Sequence, residues 1–521
     1  MTPLPRADRA DIALLLEGTY PYVSGGVSSW VYQLIQGFPE YRFACVFLGS
    51  LREDYGAPRY TLPDNVVHVE THYLHEADNA PPPVPLHGDA DAQAQVERFH
   101  EQLRQAGAGH AHSLSDGLAT LLKHPGVNEE SFLHSQAAWE FISDQYRAHC
   151  TDPSFVDYFW TVRGMHRPIW KLQRIAQNMI PVSLYHTVST GYAGFLGTLL
   201  KQRSGRPLLL SEHGIYTKER KIDLLQSDWL KDNRDMFQKD STQISYYRDL
   251  WIRFFSSLGK ICYESADQSV ALFEANRLRQ IEDGAPQART RIIPNGISLE
   301  TFSPLADDRP AAPPKVFCLI GRVVPIKDIK TFIRAMRIVV NSMPDAEGWI
   351  AGPFDEDVEY VQECKALAAS LGLTDTVQFL GMQKMTELLP GVGVAVLSSI
   401  SEGLPLVLLE AMAAGVPAVV TDVGACRELI EGQNDEDRAL GAAGAVVRIA
   451  DPEALARAML ELLGNQDHWR AASEAGKARV TRFYRDSQMF DAYRDTYRAL
   501  LQAPAGQSAR VSPLQCPVSH S

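Results

Sequence analysis

The stretch S-E-G-L-P-L-V-L-L-E-A-M-A-A-G-V-P-A-V-V-T-D-V-G, residues 401–424, reads as a strand end, a helix, a tight turn and another strand. Leu404 and Pro405 are expected to open the helix, since a first-turn N–H has no intrahelical partner and proline is tolerated there. Gly415 and Pro417 stop it, and Ala418–Thr421 follows as a short buried strand. Glu402 and Glu410 bracket the predicted helix, roughly 12 Å apart along its axis. A helix N-terminus offers free N–H groups and partial positive charge, which suits a diphosphate. A carboxylate beside that end can hold sugar hydroxyls, and one two turns further on a ribose diol. The same pattern also fits an ordinary helix with an acidic start and one polar interior residue, so the surrounding chain decides.

At 521 residues the chain is too long for one core, and two domains with insertions are expected. A hydrophobic content of 45% and a charged content of 22% fit a globular protein. The net charge of −13 argues against nucleic-acid binding, which needs a basic footprint. The seven cysteines, at 45, 150, 262, 318, 364, 426 and 516, form no C-x-x-C pair, which suits buried thiols in a reducing compartment. The apolar run Ile12–Leu16 is too short for a signal-peptide core, and no run of about 18 apolar residues occurs. The expectation is a cytoplasmic protein.

Working back to the start, Asp11–Leu16 is a predicted strand that empties into E-G-T-Y-P-Y-V-S-G-G-V, ahead of a helix over Ser28–Phe38. The glycine pair Gly25-Gly26 between strand and helix lets backbone approach a ligand, though a flexible turn explains it equally well. It matches neither G-x-G-x-x-G nor G-x-x-x-x-G-K-[ST]. Tyr41–Leu48 and Val66–Val69 are further strands. From about 72 to 181 the α/β alternation lapses into helices, predicted over Gln93–Ala106, Leu114–Lys123, Glu129–Arg147 and Val156–Ile175 after the proline-rich A-P-P-P-V-P. Ten of the fifteen histidines fall between His68 and His149, without metal-ligand spacing, and are expected at the surface or as caps.

Alternation resumes with strand Ser183–Val188, helix Tyr192–Arg203 and strand Pro207–Ser211, which ends in E-H-G-I-Y-T-K-E-R. His213, just past a strand, sits where open α/β sheets place ligands. Lys218, Arg220 and Lys221 could face an anionic acceptor or form a solvated face. Helix then strand is expected over Tyr263–Ala271, and Arg291–Ile297 is read as a strand closing in a turn. A-D-D-R-P-A-A-P-P-K marks an interdomain linker. A second series follows: strands Val316–Ile320, Trp349–Ala351, Val377–Phe379, Gly393–Leu397, Ala418–Thr421 and Ala445–Ile449, with helices Ile329–Val340 and Val358–Leu371 among them. Strands alternating with helices mean a doubly wound parallel sheet. A last helix is expected near Ser487–Leu501, then a disordered tail over 504–521.

Strand Val316–Ile320 runs into G-R-V-V-P-I-K, placing Arg322 and Lys327 at the C-terminal end of a parallel strand. Fixed cations and a helix N-terminus can stabilise a departing diphosphate without a metal. With S-G-G-V (24–27), E-H-G (212–214), P-N-G-I (294–297), F-L-G (379–381) and E-G-x-P-x4-E (402–410), the sequence resembles the retaining glycosyltransferases of family 4. That resemblance implies an α/β GT-B fold of two facing Rossmann-like domains: 1–303 on the acceptor side with the helical insertion, and 304–480 binding a nucleotide sugar. A helix over 481–503 would cross back. It further implies that Arg322 and Lys327 bind the donor diphosphate, Glu402 the donor sugar and Glu410 the ribose. Gly25 and Gly26 would approach phosphates or acceptor, and His213 would lie near the transferred sugar. Backbone near Gly381, Met382 and Gln383 would hold the base, and Asn295, Gly403, Leu404 and Pro405 would complete the donor site. Many members carry K-G where this chain has Lys327-Asp328.

Within the family, the long opening and the E-H-G-I-Y-T-K-E-R block look like the Pel exopolysaccharide glycosyltransferases. This implies hexosyl transfer from a UDP-sugar, without metal or other cofactor, to a bacterial biofilm polysaccharide acceptor beside an inner-membrane export complex. A metal-dependent enzyme would need an acidic D-x-D; Asp355-Glu356-Asp357 and Asp435-Glu436-Asp437 fit the spelling but are read as solvated acidic loops. A nucleotide-sugar epimerase or a non-catalytic assembly subunit on the same fold are the alternatives.

Overall fold

The computed structural model describes residues 4–76, 86–105, 113–227, 229–230, 232–233, 244–307, 309–310 and 312–502. The proline-rich break at 80–85 and the tail at 504–521 lie outside them. Strands rich in branched apolar residues, such as I-A-L-L-L and V-F-C-L-I, are buried along their length, as parallel strands covered on both faces must be. The chain divides into two compact units, one of residues up to Ile292 together with those from Arg494 on, the other Ile293–Tyr493.

The first unit holds a seven-stranded sheet of β1 (Ile12–Glu17), β2 (Phe43–Gly49), β3 (Val66–Tyr73), β4 (Leu184–Thr187), β5 (Leu208–Glu212), β6 (Gln268–Ala271) and β7 (Thr290–Ile292). Its order is β3-β2-β1-β4-β5-β6-β7 and every pairing is parallel. The second unit holds β8 (Val316–Ile320), β9 (Glu347–Ala351), β10 (Val377–Gly381), β11 (Val394–Leu397), β12 (Ala418–Thr421) and β13 (Gly444–Val447). Their order is β10-β9-β8-β11-β12-β13, again all parallel. Both orders reverse once, between β1 and β4 and between β8 and β11. Ligands of open α/β sheets bind at such a switch point, beyond the strands' carboxyl ends.

The helical insertion between β3 and β4 is present, with helices Ala90–Gln105, Leu114–Leu122, Glu129–His134, Gln136–His149 and Phe155–Asn178. The single helix predicted over Glu129–Arg147 is two. Ser135 breaks it and caps the second piece by accepting from the Ala138 N–H, where a serine hydroxyl is worth more than in a helix interior. The insertion shares one core with the sheet: Phe99, Leu118, Ile142 and Met165 join Phe195, Leu199 and Phe255.

Three other expectations are corrected. Arg291–Ile297 is strand only to Ile292, with Pro294 in the loop beyond it. The helices Tyr216–Gln226 and most of Tyr246–Ser265 were not anticipated. The histidines are not uniformly superficial: His68 is buried on β3 with Nε2 2.9 Å from Glu70, while His124 caps a turn as expected.

Candidate functional site

At the second sheet's switch point, β8 runs into Gly321 and β11 into the loop Ser398–Pro405. The loop's geometry corrects one expectation. The helix begins at Leu406, with Pro405 as its extended N-cap, and runs to Ala413. A residue preceding proline avoids the helical region, so Leu404 cannot open the helix. Glu402 therefore stands on the loop, and the axial spacing to Glu410 does not apply.

Glu402 is held from two sides. Lys327 Nζ lies 2.5 Å from its Oε1, and Ser399 Oγ donates to the same oxygen at 2.5 Å. Both ion-pair partners are largely enclosed, at 18% and 10% exposure. The loop's backbone is fixed as well. Ser398 Oγ donates to the Lys327 and Asp328 carbonyls at 3.0 Å each, and the Ile400 N–H donates to Ile326 at 2.8 Å. On the other flank, Gly424 has φ +54°, and a Cβ there would collide with the carbonyls of Glu402 and Gly403. Only glycine combines that backbone with so close an approach.

Asp328, which stands where many of the transferases the sequence resembles carry glycine, adopts φ 44° and ψ 52°, the left-handed conformation a glycine would take. Aspartate tolerates it better than most residues, and its Oδ1 caps the next helix by accepting from the Thr331 N–H at 3.3 Å. The turn that presents Lys327 is thus formed without the glycine. Arg322, at the same strand end, is half-exposed and its Nη1 lies 2.6 Å from both oxygens of Glu356.

Glu410 is half-buried, its carboxyl without a hydrogen-bond partner among the described residues, and burial pushes that carboxyl up to about 7. Gly381 closes β10 at φ +71°, its carbonyl accepting from the Gly352 N–H at 2.9 Å, and Met382 beyond it is 73% exposed. Asn295 is buried with Oδ1 unpartnered.

The first acidic triplet is the exposed loop expected of it, whereas the second lies in the short helix Asp435–Arg438 with one member buried. Glu356 pairs with Arg322, and Asp357 caps helix Val358–Ser370 through the Tyr360 N–H at 2.9 Å. Asp437, 1% exposed, lies 2.6 Å from the fully buried Arg479, and Glu436 pairs with Arg482. Among the described residues no group of three or more His, Cys, Asp or Glu could hold a metal ion.

In the first unit, β1 at the switch point and β5, one strand beyond β4, each end in a carboxylate. Glu17, the last residue of β1, accepts from the Tyr216 hydroxyl at 2.9 Å and the Ala193 N–H at 3.0 Å, and desolvation raises its carboxyl. Glu212, the last residue of β5, is buried and accepts from Tyr263 at 2.6 Å and Gln280 at 3.1 Å; burial pushes it up to about 7. The available signal was position alone, an acidic residue closing an apolar strand. His213 follows, half-buried, its ring 4.4 Å from Trp30 centroid to centroid and its shielded Nε2 without a partner. Burial lowers it to about 4, which keeps it neutral at pH 7. Gly25 caps helix Gly26–Gly37, and a Cβ on either glycine would meet open space. Of the three expected cations, Lys218 and Lys221 are exposed, while Arg220 lies 4.9 Å over Phe255.

Comparison with known proteins bears on the fold. The chain aligns with sucrose-phosphate synthase from Thermosynechococcus elongatus at TM-score 0.57 and 19% identity, over 95% of this chain and 100% of that one. It aligns with Anabaena HepE in complex with UDP-glucose at TM-score 0.56 and 15% identity, over 94% and 99%. A glycosyltransferase from Rickettsia africae aligns at TM-score 0.52 and 14% identity, over 95% and 100%. No curated protein matches the chain in sequence. The family profile described as Glycosyl transferases group 1 matches residues 306–479. Two Rossmann-like parallel sheets with that second domain define a glycosyltransferase of GT-B fold. The chain belongs to the family described as Domain of unknown function (DUF3492), whose profile matches residues 10–288.

Proposed function

We propose that the chain is a retaining, metal-independent family 4 glycosyltransferase that moves a hexose or N-acetylhexosamine from a UDP-sugar to a growing exopolysaccharide of the Pel type. The observation that carries this reading is the Lys327–Glu402 pair at the switch point of the second sheet. The UDP and UDP-glucose bound by HepE support the choice of donor.

In this reading Arg322 and Lys327 hold the donor diphosphate. Lys327 spends one of its three donors on Glu402, and Arg322 sits in an exposed pair with Glu356 that a diphosphate can displace. The N–H groups that follow Gly403, Leu404 and Pro405, at the start of helix Leu406–Ala413, face the same negative charge. Glu402 takes hydroxyls of the donor sugar and Glu410 the ribose diol, which supplies the hydrogen bonds its desolvated carboxylate lacks. Backbone at Gly381–Gln383 reads the base, and Asn295 supplies an unpaired acceptor. In the first domain, neutral His213 hydrogen-bonds a hydroxyl of the transferred sugar through Nε2, and Gly25-Gly26 leave room for phosphate or acceptor.

In the transfer step the bond from anomeric carbon to diphosphate oxygen breaks as the acceptor oxygen bonds to the same face. The acceptor proton passes to the departing diphosphate, and the charge on that group is stabilised by Arg322 and Lys327. The acceptor is the polysaccharide end, and the enzyme works in the cytoplasm beside an inner-membrane export complex.

The test is UDP release by the purified protein over UDP-glucose, UDP-GlcNAc, UDP-galactose and UDP-GalNAc, with and without EDTA. Release from one donor with transfer to an acceptor, surviving EDTA, is expected. Loss of release with EDTA overturns the metal-independent step. Donor isomerised without transfer means an epimerase, and no binding of any UDP-sugar means an assembly subunit.

A further inference from the structure

We propose that the helical insertion of the first domain is a binding site for the hydrocarbon chain of a single-chain amphiphile, seated in a cavity of about 400 Å3. The cavity is walled by insertion helices and by helices Tyr192–Ser204 and Tyr246–Ser265. Its walls are mainly aliphatic and aromatic, among them Phe99, Leu118, Phe141, Val162, Leu199 and Phe254. None of the residues assigned to donor or acceptor lines it.

Protein interiors are packed as densely as organic crystals, and the cost of an unfilled cavity rises with its volume. Its largely apolar walls offer water few hydrogen bonds, so solvent there is readily displaced by an apolar chain. The volume lies in the range of sites for organic ligands.

Two enclosed histidines face this space, and neither brings charge into it. His100 lies among Phe132, Phe141 and His166, with centroids 6.3, 5.3 and 5.2 Å away, and burial lowers it to about 3. The Nδ1–H of His166 donates to the Val162 carbonyl at 2.7 Å, and burial lowers this ring too. An uncharged, aromatic-lined interior suits a hydrocarbon chain.

Apart from Gln173 and Ser257, the hydrophilic lining beyond the two enclosed histidines is Arg104, Gln145, His149 and Arg253, of which the arginines and His149 are exposed. Arg104 donates to Gln145 and pairs with Glu101, and Arg253 Nε lies 2.9 Å from Asp249. The charges of both arginines are felt at the Tyr246 hydroxyl. Each guanidinium keeps donors beyond those contacts, so these arginines take an anionic head while the chain fills the interior. A fatty acid and an isoprenoid phosphate share that chemistry.

The experiment titrates the full chain with the fluorescent fatty acid cis-parinaric acid, then displaces the probe with palmitate or with farnesyl phosphate. Saturable binding of one equivalent is expected, and the better displacer identifies the acyl or the isoprenoid source. Val162→Trp and, independently, the more exposed Ser257→Trp fill the cavity. Each is expected to weaken probe binding at least tenfold while the ligand-free protein melts no lower than wild type. Arg253→Glu is expected to weaken palmitate more than hexadecanol. Absence of saturable binding to the wild-type chain, or unchanged affinity in both filled variants, overturns the proposal.

Discussion

Lys327 and Glu402, 75 residues apart in sequence, meet Nζ to Oε1 at 2.5 Å where the two halves of the second sheet diverge. Neither charge can be removed silently, because the partner would remain in an enclosed site without its counter-ion. Glu402→Gln keeps the shape and an acceptor for Ser399 while removing the charge. Turnover is expected to fall by about 100-fold or more with circular dichroism unchanged, comparable to losing one donor that stabilises a transition state. Near-wild-type turnover in a folded Glu402→Gln protein would remove Glu402 from the donor site.

Arg322 and Glu356 form a pair of a different kind, about half-exposed on both sides. Such pairs contribute about 0–1 kcal/mol. Glu356→Ala is therefore expected to leave both the unfolding midpoint and turnover near wild type, whereas Arg322→Ala raises the KM for the donor and lowers kcat. If the two variants behave alike, the guanidinium serves only the ion pair.

Asp328 isolates the backbone's contribution to the same turn. Asp328→Gly relieves a left-handed backbone that costs an L-residue about 1–2 kcal/mol, and loses a cap worth a few tenths relative to glycine. Glycine's extra freedom in the unfolded chain offsets part of the gain, so urea unfolding is expected to stay within about 1 kcal/mol of wild type. Asp328→Val keeps the strain, adds a branched Cβ and loses the cap; a cost of about 2 kcal/mol or more is expected. Equal stabilities for the two variants would contradict this account.

Much of this second-domain site was legible before any coordinates. Gly321-Arg322 closes an apolar strand, and Glu402 precedes a proline-marked helix start, so local chemistry announced both. The acidic stretch 435–437 misled because the partner of Asp437 is Arg479, 42 residues away, and no local pattern reveals a buried pair of that separation. Helix Tyr216–Gln226 escaped notice because its sequence, Y-T-K-E-R-K-I-D-L-L-Q, has few apolar residues to mark a buried face. Glu17 and Glu212 needed the sheet order itself, which puts β1 and β5 on either side of β4. The insertion's cavity depends on how several helices pack, and periodicity says nothing of that.

Glu410 gives the site a pH signature. Its carboxyl is pushed by burial from 4.5 to about 7, so the folded chain binds a proton there that the unfolded chain has already released. Folded protein therefore takes up more protons than unfolded between about pH 4.5 and 7, and this residue's contribution to stability falls as pH rises through that window. Glu410→Gln stays uncharged throughout. The wild-type chain is expected to lose on the order of 2–3 kcal/mol more than Glu410→Gln between pH 4.5 and 8 in urea unfolding, with Glu212 cancelling from the comparison. A ribose diol donates to the ionised carboxylate, so UDP binding pulls the group back toward ionisation. Wild-type affinity for UDP is then expected to rise through about pH 7, and that of Glu410→Gln to be lower and flat over the same range. Parallel pH profiles of UDP affinity in the two proteins would place the ribose elsewhere, whatever the unfolding curves show.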